Sequence, residues 1–180
     1  MKYILWWLFG VGTLSALGQR PKKMLKKLGS DPVIFIDSVN VDKSEMMKYQ
    51  PAEIATFTMY TDSEAIELAG PDGKDGVIYI ETKVFDKFKY WNYFKLKSAE
   101  YAKIVTSPEI DTTIQYILNK RILKKDFEGD LACINDDIFK EITVIDQQTL
   151  QQKYGIFDKS YGVIIKSDKP AHLYHKNRHF

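Results

Sequence analysis

Cysteine is almost absent from this sequence. Of 180 residues only Cys133 carries a thiol, so no intramolecular disulfide framework exists and the folded chain must be held by its core. In "DLACIND" the thiol has Leu131, Ala132 and Ile134 as neighbours, which points to a small buried side chain rather than a nucleophile. An excess of one charge is missing too. With 26 basic against 24 acidic residues the net charge is +2, far from that of a dedicated nucleic-acid binder, so no nucleic acid is expected as partner. The sequence has no G-x-S-x-G elbow and no H-E-x-x-H pair, and Cys133 has no histidine nearby. Paired acids such as Asp136 and Asp137 read as a turn or a helix lead-in. The expectation is a protein that is not an enzyme and holds no cofactor, since only a site assembled from distant residues would escape this reading.

What is present is a hydrophobic fraction of 44%, enough to build the core of one ordinary domain or two very small ones. The opening "MKYILWWLFGVGTLSALG" places Lys2 before an apolar stretch and ends in Ala16 and Gly18, the layout of a secretory signal peptide over residues 1–18. The run from Tyr3 to Leu17 is shorter than the roughly 20 residues a spanning helix needs. Cleavage after Gly18 is therefore expected, with no cysteine there to take a lipid. Residues 19–31 form a basic lead-in. A solvated segment is the commoner meaning of such a run, and peripheral contact with anionic lipid head groups is the other role it suits.

From Pro32 the pattern alternates. "VIFID" and "VNV" read as a tight hairpin around Asp37 and Ser38. "KSEMMKY" reads as a short helix that Ser44 can cap, and "EIATFTMY" as a strand. "DSEAIELAG" reads as a helix capped at Asp62 and stopped by Gly70, and "GVIYIETK" closes the unit as a strand. The order is ββαβαβ. It returns from Gln115 in "YILN", "RIL", "FEGDLACIND", "FKEITVI", "DQQTLQQKYG" and "GVIIKS", with Asp37 matched to Asn119, Gly70 to Gly155 and Gly76 to Gly162. Two segments that keep element order and turn chemistry indicate an internal duplication. The fold class expected is α+β, with two ββαβαβ repeats over residues 32–83 and 115–168. A linker over 84–114 joins them and a tail covers 169–180. In the linker, "KYWNYFKLKSAEYAKIV" reads as one amphipathic helix running through Ser98. Its Trp91, Tyr93 and Tyr101 are the candidate contacts for a partner or a ligand, unless they pack between the copies.

The glycine-rich loop "AGPDGKDG" fails as a nucleotide cradle, because Asp75 follows Gly73 and Lys74 where a hydroxyl residue is needed. It fails as a calcium loop because Asp72 and Asp75 are wrongly spaced. Turn duty remains, with Gly70, Gly73 and Gly76 permitting positive φ between a helix and a strand. His172, His175 and His179 lack an obvious fourth ligand, so no metal is expected.

The stretch from Pro32 to Lys83 resembles the plug domain of TonB-dependent outer-membrane receptors, especially the SusC-like group. Members of that group read as a hairpin, a strand, an "A-x-A-x-x-x-G" helix and a "G-x-x-G-V-I-x-I-x-T" strand. Ala65, Gly70, Gly73, Gly76, Val77, Ile78, Ile80 and Thr82 fall in register with that pattern. The second copy keeps Ile142, Val144, Tyr154, Gly155, Gly162, Val163 and Ile164. Two plug-like units in 180 residues leave no space for the roughly 22 strands of such a transporter, and no TonB-binding box stands near Gln19. The resemblance implies a free-standing tandem plug-like protein of the periplasm, or of the periplasmic face of the outer membrane, in a Bacteroidota-like bacterium. Its implied role is a non-enzymatic module that binds or occludes an outer-membrane protein or assembly. The alternative is a periplasmic receptor for a glycan or peptide, stacking it on Trp91, Tyr93 and Tyr101.

Overall fold

The computed structural model describes residues 28–169. The expected signal peptide, most of the basic lead-in and the three histidines lie outside these residues. The described chain is mixed α+β, with two four-stranded sheets that each combine parallel and antiparallel pairs.

The first sheet begins with β1 (Val33–Ile36) and β2 (Val39–Val41). They are joined by Asp37 and Ser38, whose φ values of 51° and 70° are those a two-residue primed hairpin turn demands. A one-turn helix α1 (Lys43–Met46) follows, then β3 (Ile54–Tyr60), α2 (Asp62–Ala69) and β4 (Val77–Thr82). The spatial order is β2-β1-β4-β3, with β4 parallel to β1 and antiparallel to β3. The second sheet uses β5 (Ile114–Leu118), β6 (Arg121–Ile122), β7 (Phe139–Asp146) and β8 (Tyr161–Ser167), with order β6-β5-β8-β7 and the same senses. Helices α5 (Glu128–Ala132) and α6 (Gln147–Tyr154) fall where α1 and α2 fall in the first unit. Its hairpin also turns on two positive-φ residues, Asn119 at 47° and Lys120 at 76°.

Register sharpens the match between the units. Ile36 pairs with Ile80 and Leu118 with Ile165, so the hairpins are offset by 82 positions (118 − 36) and the inner strands by 85 (165 − 80). On that register the counterpart of Gly162 is Val77, not Gly76, because Val33 faces Val77 as Gln115 faces Gly162. The two glycines also do different work. Gly76 has φ of 94° where the loop enters β4, whereas a side chain at Gly162 would collide with Ile145 and Leu150.

Helix capping differs from the sequence reading in a consistent way. Asp146 caps α6 by accepting from the Thr149 amide at 2.8 Å. Its counterpart in α2 is Thr61, one residue before the Asp62 expected from sequence, and neither Thr61 nor Asp42 of α1 makes a side-chain cap bond.

Between the sheets the single expected helix is two. α3 (Lys83–Lys97) and α4 (Ala99–Ile104) are separated by Ser98 in an extended conformation, with φ −146° and ψ 116°. The Ser98 hydroxyl accepts from the Tyr101 amide at 3.1 Å, so Ser98 breaks the run because it caps the second helix. α3 begins six residues before the lysine at which the sequence reading opened the helix, with Thr82 capping it through the Phe85 amide.

The cores are unequal. Ile34, Ile36, Met59, Ile78 and Ile80 form the first, flanked by Met46 and Tyr49. The second is larger because Tyr90, Phe94, Tyr101 and Val105 from α3, α4 and the residue after them pack on Ile114, Tyr116, Leu118, Val163 and Ile165. Both linker helices thus belong to the second core. Among the described residues no helix is long and apolar enough to cross a membrane.

Candidate functional site

Helix α3 carries most of the side chains that bear on function, and its periodicity sorts them by face. Positions 86, 90 and 94 recur at four-residue steps and are fully buried, so Asp86, Tyr90 and Phe94 point inward. Positions 84, 88 and 91 form a second stripe. Val84 is 81% exposed and Phe88 54%, and Trp91 continues their line with its ring 5.5 Å from that of Phe88.

The three aromatic residues singled out from sequence occupy three different environments. Tyr101 is fully buried, with its hydroxyl 2.8 Å from that of Tyr116, and has no face open to a ligand. Burial drives its hydroxyl pKa well above the ordinary phenol value. Trp91 is half-buried; its indole N–H donates to the Val105 carbonyl at 2.8 Å, and the Lys95 ammonium sits 3.7 Å over its ring. Tyr93 is half-buried against Phe94 and Phe139 and donates its hydroxyl proton to Asp136 at 2.8 Å, a carboxylate that Lys97 also meets at 2.7 Å. Partial burial and Asp136 raise the Tyr93 pKa, while Lys97 and Tyr93 lower that of Asp136. The three rings do not form one stacking surface.

An open apolar surface lies instead at the start of α3. A groove of about 670 Å³ is lined by Tyr49 and Ala52 and by Val84, Phe85 and Phe88, with Asp37 and Glu53 as its acidic lining residues. Sequence reasoning missed it by beginning the helix too late. Starting at Lys83 would have put Val84, Phe88 and Trp91 on one face.

The remaining polar clusters are internal fastenings. Tyr90 donates to buried Asp111, with Lys87 at 3.7 Å, and burial followed by Asp111 holds the Tyr90 hydroxyl protonated at any ordinary pH. Arg121 meets buried Asp130 at 2.6 Å. Cys133 is half-buried rather than wholly so, its thiol donates to the Asp130 carbonyl at 3.1 Å, and burial pushes its pKa up to about 12. Among the described residues no group of three or more His, Cys, Asp or Glu side chains could hold a metal ion.

The glycine loop grips its own chain. Asp75 accepts from the Asp31 amide at 3.0 Å, and its carbonyl takes the Gly29 N–H at 2.7 Å. Gly73 does not adopt the positive φ expected of it; it is needed because any side chain there would strike the Ala65 backbone. No protein-family model matches the chain, and neither a curated protein nor a solved structure matches it.

Proposed function

We propose that this chain is an exported, non-enzymatic interaction module built of two plug-like ββαβαβ units, which binds or occludes an outer-membrane protein or its assembly. The observation that carries the interaction role is the exposed apolar stripe of Val84 and Phe88 beside the Tyr49–Ala52 groove. Large exposed apolar side chains grouped along one helix face cost solubility and are kept where a partner covers them. The shared strand order of the two sheets supports the plug-like reading, which rests on the glycine and valine pattern of Ala65 to Thr82. Placement in the periplasm rests on the signal-peptide layout of residues 1–18. The burial of Tyr101 and the separate fastening of Trp91 and Tyr93 speak against a glycan or peptide platform.

The test is photocrosslinking in cells from a benzophenone amino acid placed at Val84 or Phe88, read by mass spectrometry. An outer-membrane protein should be captured from these positions and not from exposed Glu67 on α2. Capture of cytoplasmic proteins alone, or equal capture from both surfaces, would defeat the reading.

A further inference from the structure

The buried row of α3 contains one residue that hydrophobic packing does not explain. Asp86 lies between Phe85 and Lys87, one turn from Tyr90, with no exposed surface at all. A carboxylate removed from water ordinarily finds an ion-pair partner or several hydrogen bonds. Asp86 has neither. Its Oδ2 meets only the Thr56 hydroxyl of β3, at 3.3 Å, and its Oδ1 has no hydrogen-bond partner.

Its surroundings are the contact between the two units. α5 of the second unit packs on α3 and reaches β3 of the first. Gly129 makes that approach possible: a side-chain carbon there would lie 2.5 Å from Thr56 Oγ1, 3.3 Å from the Ala55 carbonyl oxygen and 3.5 Å from Asp86 Oδ2. The junction is therefore closed over the Thr56–Asp86 pair by a bare backbone, and the carboxyl group stands at its centre.

The charged groups around it do not favour ionisation. Glu81 of β4 and Asp37 of the hairpin turn repel a negative charge there, and Lys89 of α3, which attracts one, is held 2.9 Å from Glu81. On α5, Asp130 is bonded to Arg121, Glu128 lies toward Tyr90, and Cys133 just beyond stays a neutral thiol. β3 supplies only the neutral Thr56 hydroxyl.

We propose that Asp86 is a proton-operated latch between the two sheets, holding α5 against β3 when protonated and releasing it when ionised. The protonated carboxyl carries its proton on Oδ2 and donates it to the Thr56 hydroxyl, which leaves Oδ1 as a neutral carbonyl oxygen that tolerates the dry contact with Gly129. The ionised form needs water, which enters only if α5 lifts away. Burial, followed by the charge of Glu81, brings the carboxyl pKa up to about 7, so the latch operates near neutrality. The device is independent of which partner the apolar stripe takes.

Hydrogen exchange on the full chain at pH 5.5 and 8.0, corrected for intrinsic chemical rates, tests it. In the wild type the opening equilibrium of residues 128–132 should rise about tenfold or more at the higher pH, because proton release favours the open form across that interval. In Asp86→Asn it should change by less than twofold. An equal rise in both proteins, or none in the wild type, overturns the proposal. Should the variant fail to fold, the carboxyl-carbon shift of wild-type Asp86 serves in its place. A titration midpoint above pH 6 supports the latch and one below pH 6 sinks it.

Discussion

Asp37 and Asn119 occupy the same corner of the two sheets, and each solves the same local problem with a side-chain oxygen. Asp37 accepts from the Thr82 amide at 2.7 Å and the Thr82 hydroxyl at 2.8 Å, and Asn119 accepts from the Ser167 amide at 3.0 Å. Both residues also sit at positive φ, where Asn and Asp are tolerated and alanine is not. Asp37→Asn is therefore expected to change stability by less than about 1 kcal/mol, whereas Asp37→Ala should cost about 2 kcal/mol through lost hydrogen bonds and the strained turn. Urea unfolding of both variants checks the ranking, and equal losses would show that the turn does not depend on the amide-accepting oxygen. Cys133 makes a second prediction at this scale. With its pKa pushed up to about 12, the native thiol should react with a disulfide reagent at pH 8 at least about a hundredfold more slowly than in the urea-unfolded chain.

Helix α3 shows what periodicity fixes in an element and what it leaves open. Phe94→Ala removes a fully buried ring from the second core and should cost about 3–5 kcal/mol, while Val84→Asp on the open stripe should change stability by less than about 1 kcal/mol. Thermal unfolding of the two variants distinguishes them. The strands and the second helix of each unit were legible because alternation, the two-residue turns and Gly70 and Gly155 at helix ends are local signals. The break at Ser98 was not. The apolar steps on its two sides keep helical spacing, so periodicity runs straight through the residue whose hydroxyl caps the second helix at the Tyr101 amide. The burial of Asp86 was equally invisible, since its neighbours in "VFDKFKYW" give no hint that Gly129, 43 positions on (129 − 86), will close over it. Only the tertiary packing tells that Tyr101, one of the three aromatic candidates, is core, and that Val84 and Phe88, outside that set, are surface.

At the scale of the whole molecule, charges at the surface and at the junction pull stability in opposite directions as pH changes. Glu109, Asp136, Glu141 and Asp146 have pKa values lowered by hydrogen bonds and, for Glu109, Asp136 and Glu141, by lysines. Groups of that kind favour the folded state above their unfolded pKa, and their contribution is lost as pH falls through the native value. Asp86 behaves in the reverse sense. Its pKa rises from 3.8 to about 7 on folding, so the native state holds a proton that the unfolded chain releases. Its relative stabilisation is complete below about pH 4, declines as pH rises and is gone above about pH 7. Between pH 5 and 8 that decline should amount to something on the order of 2 kcal/mol. Maximum stability is therefore expected near pH 5, with a fall toward neutrality that Asp86→Asn abolishes while leaving the acid limb in place. Urea midpoints measured from pH 3 to 9 on both proteins decide it. A wild-type curve flat between pH 5 and 8 would mean that the carboxyl is already solvated in the native state, and that the contact of α5 with β3 is looser than the Gly129 approach requires.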